Sequence, residues 1–147
     1  MTNFFGDAGN LFSNIESQVA TYMLSGKDVS NTSSLNERVL QYNIINAYQK
    51  SPEVIVLGSS RVMLVGKAYS NSTLMNHSVS RCLLEDMIGI YQIFKNNQVF
   101  PNKILIGMDP WIFNGTNSQG KYLTLKSDYE SFMNKKNRKP IIDWWKY

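Results

Sequence analysis

The sequence predicts an α/β domain of three layers, a parallel sheet between helices, with the sheet incomplete in this chain. Three observations predict it. Glu53-Val54-Ile55-Val56-Leu57 is a short β-branched run stopped by Gly58, the pattern of a strand buried on both faces. Lys103-Ile104-Leu105-Ile106-Gly107-Met108 repeats it after Pro101 and predicts a second buried strand. Between them, residues 82–97 carry Leu83, Leu84, Met87, Ile88, Tyr91 and Phe94 as a wide apolar stripe of helical period. Strand, helix, strand is a crossover unit, whose strands run parallel with a right-handed connection.

The other elements are taken in chain order. Residues 1–12, with Gly6 and Gly9, predict an extended lead-in. Ser13-Asn14-Ile15-Glu16 is a capping-box pattern, followed by Ile15, Val19 and Met23 on one helical face and by Gly26 as a stop. Ser34-Leu35-Asn36-Glu37 repeats the capping signal before Leu35, Val39, Leu40, Ile44 and Tyr48. Glu85 and Asp86 fall in the first turn of the stripe helix, where the helix dipole favours acids. Residues 73–79 predict a short further strand, and Ser127-Asp128-Tyr129-Glu130 opens a last short helix. The organisation is one domain, with a helical lead-in over 1–49 packing on an α/β part over 50–147. Two or three strands make a thin sheet, and Trp144 and Trp145 in the tail suggest a surface covered by a further region or another copy.

Composition narrows the function classes. The chain has 147 residues, 43% of them hydrophobic and 18% charged, which is globular rather than disordered. Net charge is +4, too mild to mark a nucleic-acid binder, and no nucleic acid is expected as a partner. The one basic run, Lys135-Lys136-Asn137-Arg138-Lys139, reads as a solvated face or linker, or as a contact for an acidic surface or nucleic acid. One cysteine, Cys82, and one histidine, His77, exclude an intrachain disulfide and a structural zinc site, so no metal or cofactor is expected. No stretch of the sequence has the length of apolar residues that spans a bilayer, and residues 1–11 lack a signal-peptide pattern. Membrane association would therefore need an anchor that this sequence does not contain. The four Asn-x-Ser/Thr strings at Asn31, Asn71, Asn76 and Asn114 carry meaning only in a eukaryotic secretory route.

Ligands of open parallel sheets bind at the carboxyl ends of the strands. Two polar turns fall there, Gly58-Ser59-Ser60-Arg61 and Asp109-Pro110-Trp111. A Gly-Ser-Ser turn can present a hydroxyl beside backbone N–H groups that hold an anion or a developing oxyanion. The plainer alternative is that Gly58 makes the turn and a serine caps the segment after it. Arg61 pairs structurally or binds an anion beside Ser60. Asp86 and Asp109 are expected to bond loop amides, and Trp111 and Phe113 to pack.

Residues 54–61 (Val-Ile-Val-Leu-Gly-Ser-Ser-Arg), Asn76 through Ser80, Leu84-Glu85-Asp86 and Gly107-Met108-Asp109-Pro110-Trp111 together resemble the SGNH (GDSL-like) hydrolase superfamily, in particular envelope-associated bacterial members. The resemblance covers roughly residues 50–114. It implies a flavodoxin-like fold and a serine esterase or acyltransferase acting on an acylated glycan or a similar ester. It also suggests an extracytoplasmic setting. It places the nucleophile at Ser60, with Ser59 at the usual aspartate position. The oxyanion or anion contacts fall to Gly58, Ser59, Arg61, Asn76 and Asp109, including the N–H groups of Ser60 and Arg61. Three departures stand against activity. The second-block glycine is Arg81, the third-block asparagine is Asp109, and the C-terminal Asp-x-x-His is missing, Asp143-Trp144-Trp145-Lys146 having the spacing without the histidine. His77 is the one candidate base, and without a base a serine hydroxyl is a weak nucleophile. The chain is expected to be inactive or nearly so. Two other readings compete, a non-catalytic glycan- or anion-binding module on the same fold and an assembly protein whose sheet is completed by another copy.

Overall fold

A computed structural model describes residues 15–27, 29, 35–66, 73–113 and 121–134. The architecture is α/β: four α-helices and a three-stranded, wholly parallel sheet among those residues. The helices are α1 (Ile15–Leu24), α2 (Glu37–Asn46), α3 (Leu84–Asn96) and α4 (Lys126–Met133), and the strands β1 (Val54–Leu57), β2 (Leu74–Asn76) and β3 (Lys103–Ile106). The strands lie in the order β2-β1-β3, so the chain leaves β1 for one side of it and then crosses to the other.

Local chemistry sets the helix ends. Gly26, at φ 78°, closes α1, with Lys27 N–H on Tyr22 O and Gly26 N–H on Met23 O, the paired bonds of a left-handed glycine cap. The same pair closes α3, where Gln98 takes the left-handed position at φ 56°. Asn36, not Ser34, caps α2, its side chain accepting from the N–H groups of Arg38 and Val39. Ser13 and Ser34 lie outside the described residues, and the acid of each predicted box is used elsewhere. Glu16 takes the Asn36 N–H at 3.0 Å, and Glu37 turns to Ser80.

Burial follows the pleat of β1. Ile55 and Leu57 point into the main core, with Ile45 of α2, Met87, Ile90, Ile93 and Phe94 of α3, and Leu125. Val54 and Val56 point the other way, onto Leu74 and the partly buried Val62 and Val65. Gly89 lets α3 approach the chain at Leu125, since a Cβ there would sit 2.9 Å from Leu125 Cβ. A second cluster joins α1 to α2 through Val19, Ala20, Leu40 and Ile44.

The prediction for β3 needs correcting. Its four residues are all exposed, and among the described residues β3 is an edge strand paired with β1 alone. An apolar run specifies a strand but not its neighbours. Leu84 and Met23 also depart from their predicted stripes, at 47% and 43% exposure. The tail from residue 135 onward, with the basic run and Trp144-Trp145, lies outside the described residues.

Candidate functional site

Both predicted turns do lie at the carboxyl end of the sheet. Residues 60–62 form a single 3₁₀ turn directly after β1, and residues 110–113 another after β3. Val62 sits where the turns converge: a Cβ on Gly58 would lie 2.6 Å from Val62 Cγ2, and one on Gly107 2.8 Å from Val62 Cγ1. Glycine at 58 and 107 is therefore needed for close approach, and it brings the two turns together around one valine.

Ser59 is buried, and its Oγ accepts from the Arg61 N–H at 3.3 Å. This makes Ser59 the cap of the turn, and it turns the Arg61 N–H inward, away from an expected role in holding an oxyanion. Ser60 is exposed, and no hydrogen bond to another described residue engages its N–H or its hydroxyl. Arg61 carries its guanidinium over the Trp111 ring, 4.7 Å from the centroid, with Nε 3.5 Å from Asp109 Oδ1. Asp109 is 5% exposed. The pair thus ties the turn after β1 to the turn after β3, with Arg61 itself still open to solvent. Phe113 stands 74% exposed rather than packed.

Two predicted site residues are committed elsewhere. Both amide protons of Asn76 are used within the fold, donated to Val62 O at 2.7 Å and Val65 O at 2.8 Å, while its Oδ1 accepts from the Ser78 N–H. Asn76 shapes the loop after β1 and has no free donor for an anion. His77 is buried, Nδ1 2.7 Å from Gln41 Oε1 and Nε2 2.8 Å from Tyr48 Oη. An amide oxygen only accepts, so Nδ1 carries the proton and Nε2 accepts from the tyrosine. The Phe94 ring stands edge-on to the imidazole, 5.0 Å between centroids. Burial pushes the His77 pKa down to about 3 and raises that of Tyr48, because neither charge can be solvated there. In this arrangement the imidazole has no nitrogen to offer Ser60.

A denser polar cluster lies under the loop after β2, and sequence reasoning missed it. Arg38 of α2 forms a two-pronged ion pair with Asp86 of α3, Nε to Oδ1 and Nη2 to Oδ2 each at 2.8 Å, both residues buried. Asp86 Oδ2 also takes the Leu83 N–H, and Arg38 Nη2 reaches Ser80 O at 3.3 Å. Glu37 accepts from both the hydroxyl and the N–H of Ser80. Between these pinned residues Arg81 is exposed and left-handed at φ 51°. A signal was present in the sequence: Glu37, Arg38 and Gln41 stand at i, i+1 and i+4 on a helix that otherwise needs apolar residues there. Cys82, beside the cluster, is buried and its thiol pushed up to about 12, chiefly by burial with the Asp86 charge adding. It is an inert core group.

No set of three His, Cys, Asp or Glu among the described residues is placed to hold a metal ion. No described helix is long and apolar enough to cross a membrane. No family model, curated protein or solved structure matches the chain.

Proposed function

We propose that the carboxyl end of β1 is the nucleophile side of an SGNH-like serine esterase or acyltransferase site, with Ser60 as nucleophile and an acylated glycan or similar ester as substrate. In this reading the order β2-β1-β3 is the beginning of a doubly wound, flavodoxin-like sheet, and the site sits where the strand order reverses. One observation carries it: Ser60 stands exposed at the end of the buried central strand, its hydroxyl and N–H unengaged by described residues. In the reaction, Ser60 Oγ bonds to the acyl carbon, the ester C–O bond breaks and the alcohol leaves with the serine proton. Water, or an acceptor hydroxyl, then takes the acyl group. His77 does not carry the proton, so the chain alone transfers it through solvent, and turnover is slow.

Labelling with a fluorophosphonate tests this. Ser60 Oγ bonds to phosphorus, fluoride leaves and the proton passes to water. A slow adduct at Ser60, located by mass spectrometry and absent in Ser60→Ala, is the expected result. A folded protein with no adduct at Ser60 contradicts the reading.

A second reading has its own observation. The Arg61 guanidinium, stacked on Trp111 and tethered to Asp109, is a planar cation held beside an aromatic face, the pair that a carboxylate-bearing or sulfated sugar would meet. For a non-catalytic module, glycan binding survives Ser60→Ala and is lost in Arg61→Ala. Loss in Ser60→Ala alone contradicts it.

A further inference from the structure

Among the described residues, β3 leaves one edge of the sheet open. The Lys103 N–H reaches Glu53 O at 2.9 Å and the Gly107 N–H reaches Leu57 O at 2.8 Å. Odd-numbered residues therefore turn their backbone groups to β1, and the N–H and C=O of Ile104 and Ile106 point outward along the edge. Natural sheets guard such an edge with charges, proline, a bulge or brevity. On β3 the guards are brevity and Lys103, and the other residues of the strand are Ile, Leu and Ile. Ile104, Leu105 and Ile106 are all exposed, with Phe100 and Met108 exposed beside them. Their register with β1 relates them to the core. Ile104 and Ile106 lie beside Ile55 and Leu57, on the face of the main core, and Leu105 lies beside Val56, on the opposite face. Both apolar layers of the sheet thus run out to the open edge.

We infer that this edge is an interface with a second copy of the chain, the two β3 strands pairing antiparallel about a two-fold axis at Leu105. The strand is complementary to itself. Pairing Ile104 with the partner's Ile106, and Ile106 with the partner's Ile104, engages all the outward backbone groups of the strand. Any shift of that register leaves Ile104 or Ile106 without a partner inside the strand. Each copy contributes the same groups, as a two-fold contact requires. The charge pattern agrees. Lys103 is the one charged residue from Phe100 to Met108, and this register sets it opposite the partner's Gly107, so like charges do not meet. Leu105 meets the partner's Leu105 in the closer, non-hydrogen-bonded position, and the isoleucines pair on the core face. Each apolar layer then continues from one copy into the next. Because the strands oppose, the Ser60 turns of the two copies open at opposite ends of the joined sheet. The interface and the reading of Ser60 therefore stand or fall separately.

Light scattering on the full chain over a dilution series tests the inference. The expected mass is twice the 16.8 kDa of one chain, falling to that of one chain in Leu105→Lys, which sets two like charges against each other at the axis. Leu105 is exposed, so the substitution spares the core. Cysteine cross-linking reads the register. Leu105→Cys is expected to join two chains on mild oxidation, since residues facing each other at that position lie about 4.5 Å apart between α-carbons, within disulfide reach. Lys103→Cys, set opposite the partner's Gly107, is expected not to join them, and the buried Cys82 stays out of the reaction. A wild-type monomer at every concentration overturns the inference and leaves the edge to another occupant, the chain's own residues 135–147 or a different protein. A dimer that survives Leu105→Lys overturns it too, as does equal linking at positions 103 and 105. Should Leu105→Lys not fold, the cross-linking pattern decides.

Discussion

Two polar regions share one end of this small sheet, and they are built on opposite terms. Under α2, the charged and ring groups have partners, Arg38 with Asp86, Glu37 with Ser80, and His77 between Gln41 and Tyr48, while Asn43 Nδ2 and Ser78 Oγ have none among the described residues. Around the Gly58–Arg61 turn, the groups that matter are left open: no described residue engages the Ser60 hydroxyl, and the Arg61 side chain is 67% exposed. Saturated groups in a dry interior hold geometry, since their hydrogen bonds are already spent. Open groups on a turn held rigid from below can bind and react. The chain's only histidine lies on the saturated side, bonded to Gln41 and Tyr48, so on the proposed reading it is not the base for Ser60.

The contrast can be broken most forcefully through the buried ion pair. Arg38→Ala or Asp86→Ala leaves an uncompensated charge in the core and is expected to cost about 3–5 kcal/mol, a fall of roughly 10 °C in melting temperature for a domain of this size. Arg61→Ala removes a charge from the open region and is expected to cost less than about 1 kcal/mol. Equal losses in the two thermal melts would erase the distinction.

Acid comes next. The His77 pKa is lowered from an ordinary value of about 6.5 to about 3, so the unfolded chain binds a proton that the folded one refuses. Its contribution to stability is complete above about pH 6.5 and is lost as pH falls toward about 3, at about 1.4 kcal/mol per pH unit while the difference lasts. Denaturant melts of wild type and His77→Gln across that window check it. The wild-type loss attributable to His77 should disappear in the variant, and parallel curves would contradict burial of a neutral imidazole.

Smaller effects sharpen the picture within each region. Gly58→Ala drives a methyl against Val62 Cγ2 and is expected to cost about 1–3 kcal/mol by overpacking, visible as a lower denaturation midpoint. Ser78 has a buried hydroxyl with no hydrogen-bond partner among the described residues. Ser78→Ala should therefore be neutral or stabilising by up to about 1 kcal/mol, and a clear loss of stability would show that the hydroxyl is engaged.

Much of the fold was legible in the residues alone. The β-branched runs at 54–57 and 103–106, the stripe over 82–97 and the stop at Gly26 all have local causes, and each produced its element. The exposure of β3 was not legible, because a strand's own residues do not name the strands beside it. The site divides the same way. The turns at Gly58–Arg61 and Asp109–Trp111 come from strand ends and were found. The commitments of Asn76 and His77 are contacts across 11 to 36 positions of chain, and the bond from Ser80 to Glu37 spans 43. The polar residues Glu37, Arg38 and Gln41 on α2 mark only one side of such pairings and do not name the partner, so the sequence offered His77 as a base and presented α2 as a lead-in.

The pH profile of Ser60 labelling tests the central claim most directly. With no base among the described residues in contact with Ser60, the fluorophosphonate rate should rise steadily with hydroxide, about tenfold per pH unit, through neutrality with no plateau. A plateau with an inflection between about pH 6 and 8 would reveal a histidine-like base acting on Ser60, and the division into a saturated region and an open one would fail.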